Sequence, residues 1–109
     1  MNCHFKTLYT GEDGYVVRCK ECGHYQLAYL CVMVTLDEKQ FYSFRKMIQQ
    51  HYEDSLCLSN EHCKSVVVQT PASGTNFLFS GKEIKRFAEL LDEADTEERA
   101  QSMIELFQE

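Results

Sequence analysis

A chain of 109 residues has room for one ordinary hydrophobic core and not for two. With 44% hydrophobic residues, one Pro and five Gly, it is neither a disordered nor a collagen-like polymer. Eleven Lys and Arg against 17 Asp and Glu give a formal charge of -6, which opposes non-specific binding to nucleic-acid phosphates.

The charge is uneven. Residues 1 to 80 carry 7 basic and 8 acidic side chains, while 81 to 109 carry 4 and 9. The opening Met1-Asn2-Cys3-His4 shows no basic region followed by an apolar one, and the longest strongly apolar stretch, Leu27 to Leu36, falls short of a membrane span. A cytoplasmic protein with no membrane partner is expected. In that compartment the six Cys read as reduced core thiols or metal ligands rather than as a disulfide framework.

In chain order, Phe5 to Thr10 and Tyr15 to Arg18 are β-branched and aromatic runs around Gly11-Glu12-Asp13-Gly14, the pattern of a hairpin. After Cys19-Lys20-Glu21-Cys22-Gly23, the run Tyr25 to Thr35 is apolar on both alternating faces and predicts one long central strand. Thr35-Leu36-Asp37-Glu38 has capping-box spacing and predicts a helix with Phe41, Phe44, Ile48 and His51 on its buried face, ending near Tyr52 to Asp54. Residues 55 to 64 read as a connection. Ser65 to Thr70 and Thr75 to Phe79 then predict a second hairpin around Pro71-Ala72-Ser73-Gly74.

Ser80-Gly81-Lys82-Glu83 repeats the capping box, and Ile84, Phe87, Ala88 and Leu91 form the stripe of the next helix. Asp95 and Thr96 predict a bend, followed by a peripheral helix 96–107 with Ala100, Met103, Ile104 and Phe107 at helical spacing. These elements predict a single α+β domain over 1–109, an antiparallel β-sheet of about five strands packed against two or three helices in the order β-β-β-α-β-β-α-α.

Cys19 and Cys22 form the one short motif with a ligand-site mechanism, since two thiolates two residues apart converge on a zinc ion when the backbone between them turns. Hairpin pairing returns the chain start toward Cys19, making Cys3 the preferred third ligand and His4 the simplest fourth, with His24, Cys31 and the pair His62 and Cys63 as alternatives. Thiol redox exchange is a further reading of the same pair, although a thioredoxin-like pair would open a helix and this one joins strands.

Cys31 and Cys57 read as core thiols and His51 as a core-edge imidazole. The carboxylates Glu89, Asp92, Glu93, Asp95, Glu97 and Glu98 read as a solvated helix face. Tyr9, Tyr15, Tyr25 and Tyr29 suit a protein or peptide surface better than nucleic acid, because the basic side chains beside them are offset by Glu12, Asp13 and Glu21.

The run from Cys19 to Tyr29, the apolar strand and capped Phe-rich helix after it, and the Phe77-Leu78-Phe79 strand before Glu83 together resemble a family of small uncharacterised Bacteroidetes proteins over about residues 3 to 94. The resemblance implies an intracellular bacterial α+β domain and carries no activity or substrate. The pair Cys19 and Cys22 also resembles a zinc-ribbon turn, without the second C-x2-C of a full ribbon. The function expected is that of a non-enzymatic protein-interaction or structural module, acting through a protein partner or self-association and stabilised by zinc, with a zinc-binding regulatory module and a thiol-dependent redox enzyme as alternatives.

Overall fold

The computed structural model describes residues 4–57, 60, 62–70 and 73–108. Strands β1 (Phe5–Gly11), β2 (Gly14–Cys19), β3 (Tyr25–Tyr29) and β4 (Val32–Leu36) form an antiparallel meander in the order β1-β2-β3-β4. Helix α1 (Glu38–Ser55) follows, then the two-stranded sheet of β5 (Lys64–Gln69) and β6 (Asn76–Ser80), and finally α2 (Gly81–Phe107). The expected α+β domain is present, with strands in two sheets.

The long strand expected over Tyr25 to Thr35 is in fact two strands. Tyr29 pairs with Val32, so Leu30 and Cys31 make a two-residue turn in which Leu30 takes φ 58 and donates its N–H to Asp13 O at 2.9 Å. Apolar residues in that turn hide it from a reading based on Gly, Asn and Pro. The turn puts Leu27, Tyr29, Val32, Val34 and Leu36 on one face and leaves the Cys31 side chain in solvent, correcting its assignment to the core. Cys57 is likewise exposed, two positions past the end of α1.

Thr35 pairs opposite Gln26 and so stays in β4, which moves the cap of α1 two residues on. Asp37 accepts from Gln40 N–H at 2.8 Å while Gln40 Oε1 accepts from Asp37 N–H at 3.0 Å. At α2 the expected box is in place. Ser80 Oγ accepts from Glu83 N–H at 3.2 Å, and Glu83 Oε1 accepts from Ser80 N–H at 2.9 Å.

The core lies where the inner faces of both sheets meet the helices. Phe87 of α2 is at its centre, with ring centroids 4.5 Å from Tyr29, 5.9 Å from Phe44, 5.8 Å from Phe77 and 5.4 Å from Phe79. Tyr25 stacks on Phe41 at 4.0 Å. Phe41, Ile48, Ile84, Phe87 and Leu91 are fully buried, as their spacing predicts, because each helix stripe closes a face that would otherwise be wet.

No bend occurs at Asp95 and Thr96. Instead of capping a new helix, the Thr96 hydroxyl donates to Asp92 O at 3.0 Å within the same helix, which runs unbroken from Gly81 to Phe107. A 27-residue helix is about 40 Å long. It is the longest element of a molecule measuring 51 by 28 by 25 Å.

Candidate functional site

The turn between β2 and β3 brings together most of the residues expected to hold metal. Gly23, at φ 76, donates its N–H to Cys19 O at 3.0 Å, and the N–H of Cys22 points at Cys19 Sγ at 3.4 Å. Lys20 N–H donates to His4 O at 2.8 Å, laying the chain start beside the turn. The exposed Glu21 carboxylate holds the pieces together. It accepts from His4 N–H at 2.8 Å, lies 2.7 Å from His4 Nδ1, and accepts from Cys19 Sγ at 3.4 Å.

Those bonds stabilise the charged form, so the backbone and imidazole of His4 hold the Glu21 carboxyl down to about 2. Cys19 is buried and Cys22 exposed. Cys3 lies outside the described residues. Among the described residues no three His, Cys, Asp or Glu side chains converge as a metal-binding group. The pair joins two strands rather than opening a helix, so it is not in the position from which a C-x2-C pair of thioredoxin type works.

A second cluster, missed in the sequence, joins β1, β2 and α1 to the middle of α2. Glu98 is buried, and its Oε1 accepts from Lys6 Nζ at 3.1 Å and from Arg18 Nη1 at 3.0 Å. Asp95, also buried, lies between Arg99 Nη2 at 3.2 Å and Arg45 Nη2 at 3.6 Å. Arg18 in addition sits 4.7 Å over the Tyr25 ring. Placing these two carboxylates on a solvated face is therefore wrong, and the cations that bury them come from elements up to 92 positions away. Four buried atoms here, Tyr25 Oη, Arg45 Nε, Asp95 Oδ1 and Glu98 Oε2, have no hydrogen-bond partner among the described residues. Polar atoms this buried are places for ordered water.

The tyrosines expected at a binding surface are only partly there. Tyr25 and Tyr29 are core residues whose burial pushes their phenols up, and Tyr29 Oη donates to Glu83 O at 2.7 Å. Tyr9 is half-buried, bonded to Asp13 at 3.2 Å and to Arg86.

Large apolar side chains face solvent singly at Phe5, Leu30, Met33, Leu56, Val67 and Leu78, and in a group at the end of α2. In α2 the buried side chains Ile84, Phe87, Ala88, Leu91, Asp95 and Glu98 share one face. At 100° per residue, Ala100, Met103, Ile104 and Phe107 fall on an arc about 180° away. From Met103 to Gln108 every residue of the helix is exposed, including Leu106, which is at the phase of the buried face and 72% exposed. Met103 is 58%, Ile104 56% and Phe107 85% exposed. Sequence spacing finds these four residues but places them on a separate peripheral helix 96–107, whereas they belong to one continuous α2.

Among the described residues no helix is long and apolar enough to cross a membrane. No curated protein and no solved structure matches this chain. A model of a family of unknown function, DUF6686, matches residues 1–107. The chain belongs to that family.

Proposed function

We propose that this protein is a non-enzymatic interaction module whose contact element is the second half of α2. The observation that carries this is the exposed apolar end of the helix, where Met103, Ile104, Leu106 and Phe107 all face solvent. A folded domain gains nothing from apolar side chains held in water on a rigid rod, whereas a helix-in-groove contact needs anchors at this i, i+3, i+4, i+7 spacing. Selection of a random peptide library on the intact chain, with counter-selection on Met103→Asp/Ile104→Asp, tests it. Binders that require the stripe are the expected result. Binders indifferent to both substitutions, or no binders, overturn the reading.

A second reading places zinc at the turn between β2 and β3. The Cys22 N–H directed at Cys19 Sγ favours it, because a bond to sulfur stabilises the thiolate, which is the metal-binding form. Cys19, Cys22 and His4 would supply three donors, His4 leaving Glu21 to do so, and Cys3 the fourth. Native mass spectrometry with elemental analysis decides between outcomes. One zinc per chain, lost in Cys19→Ser together with thermal stability, supports the site, and a folded zinc-free chain overturns it.

A further inference from the structure

We infer that Cys19 and Cys22 form a peroxide-sensitive modification site, a dithiol that closes to a disulfide across the turn between β2 and β3 and reopens with a small thiol. The inference concerns the same turn as the zinc reading and does not depend on a bound metal.

The turn is already shaped for the bond. In a tight turn the Cα atoms of residues i and i+3 lie within about 7 Å of each other, and a disulfide needs roughly 4.4–6.8 Å. Residues 20 to 22 make that turn, closed by the Gly23 N–H on Cys19 O at 3.0 Å with Gly23 at φ 76. The Cys22 N–H directed at Cys19 Sγ at 3.4 Å sets the first sulfur beside the backbone that carries the second. Arg18 Nε on Gly23 O at 3.1 Å and Lys20 N–H on His4 O at 2.8 Å hold the same stretch of chain. Little freedom is left to lose when so short a ring closes.

The two thiols differ in access. Cys22 is exposed, whereas Cys19 is only 2% exposed. A peroxide therefore meets Cys22 first. Cys22 Sγ takes its terminal oxygen, the O–O bond breaks, the thiol becomes a sulfenic acid, and the rest of the peroxide leaves as water or an alcohol. Cys19 Sγ then attacks the sulfenic sulfur. The S–S bond forms, the S–O bond breaks, and the hydroxyl departs as water with the proton of Cys19. Together the two thiols give up one electron pair and the peroxide gains it. Two equivalents of a small thiol reverse the step by exchange and leave as their own disulfide.

The other exposed thiols lack this arrangement. No Cys lies three positions from Cys31, Cys57 or Cys63. Cys31 sits in the turn at the far end of β3, roughly 17 Å along the strand. The disulfide form also has no thiolate to offer a metal, so oxidation and zinc binding exclude each other.

The test strips the intact chain of metal with a chelator, verifies this by elemental analysis, and adds one equivalent of hydrogen peroxide. Remaining thiols are alkylated and the peptides are read by mass spectrometry. The expected result is a loss of two hydrogens confined to the linked peptides of Cys19 and Cys22, reversed by dithiothreitol, with Cys31, Cys57 and Cys63 alkylated. Cys22→Ser, a change at an exposed position, should abolish the disulfide, and Cys19→Ser should carry Cys22 on to the sulfinic acid. Circular dichroism confirms that each variant is folded. Sulfinic acid at Cys22 of the unaltered chain overturns the inference, as does a bond from either thiol to Cys3, Cys31, Cys57 or Cys63. A pair that stays alkylated while Cys31 oxidises overturns it too, and so does a chain that unfolds on chelation, since the pair would then serve to hold metal. With metal absent throughout, the result for a folded chain is independent of the zinc reading.

Discussion

Arg18 and Glu98, 80 positions apart, meet at 3.0 Å and tie strand β2 to the middle of α2. Lys6 joins them from β1 at 3.1 Å, so one carboxylate oxygen anchors two strands of the first sheet to the helix. Arg18 also donates from Nε to Gly23 O at 3.1 Å, linking this anchor to the turn that holds Cys19 and Cys22. These pairs sit at the middle of α2, which runs unbroken through Asp95 and Glu98.

Removing the Glu98 carboxylate should therefore be costly, because it strands two largely buried cations. Glu98→Ala is expected to lower stability by about 3 kcal/mol. In a domain of this size that is a fall in Tm on the order of 10 °C or more. Glu98→Gln, which keeps one acceptor oxygen, should lose less. Thermal melts followed by circular dichroism check both, and an unchanged melt for Glu98→Ala would show that the pair carries no net stability.

Acid should weaken the contact between α2 and the first hairpin. Burial raises the Asp13 carboxyl, but the Arg86 guanidinium, bonded to it at 2.7 Å, together with backbone and Tyr9 hydrogen bonds holds the acid below its ordinary range. A carboxyl depressed in the folded state stabilises the fold above its unfolded pKa near 4, and that contribution disappears as pH falls through the lower folded value. Urea midpoints measured from pH 6 downward should thus fall less steeply for Asp13→Asn than for the unaltered chain. Parallel curves would remove Asp13 from the acid response.

Two substitutions near the turn between β3 and β4 should act in opposite directions. A Cβ on Gly14 would stand 2.0 Å from Ala28 O, in the backbone of the paired strand, so Gly14→Ala should cost about 2 kcal/mol or more. Leu30 is held at φ 58 with its side chain half exposed. Leu30→Gly relieves that conformation and should stabilise by about 0.5–1 kcal/mol. Denaturant midpoints give both signs, and a destabilised Leu30→Gly would mean that the Leu side chain contributes more than its backbone strain costs.

The outward stripe should be silent in stability. Met103→Ser/Ile104→Ser is expected to leave the unfolding free energy within about 0.5 kcal/mol. Leu91→Ala, on the buried face of the same helix, should cost about 2–5 kcal/mol. A large loss in the serine variant would mean that these side chains pack against the body in solution.

Much of the fold is legible in particular residues. Ser80 and Glu83 announce the start of α2, and Phe41, Phe44 and Ile48 announce the buried face of α1, because capping and helical periodicity act between residues three or four apart. Both hairpins are visible for a similar reason: apolar runs flank turn residues. The Leu30 and Cys31 turn is hidden because its side chains carry no turn signal, and only pairing of Val34 with Leu27 and of Val32 with Tyr29 reveals the reversal. For the candidate sites, spacing identified Cys19 and Cys22 as neighbours on one turn, while the part of Glu21 in holding His4 beside them came only with the register of β1 and β2.

By itself the sequence determined what is local: the α+β order of elements, the caps, the core stripes and the acidic excess after residue 81. The tertiary structure alone decided which acids are buried and which way α2 points its last apolar residues. Burying Asp95 and Glu98 requires cations from Lys6, Arg18 and Arg45, and no periodicity within α2 encodes partners that distant. The direction of Met103, Ile104 and Phe107 depends on whether the helix bends at Asp95, since each unbroken residue adds about 100° of rotation. Packed without a bend, the helix holds in solvent the apolar residues that spacing placed on a separate peripheral helix.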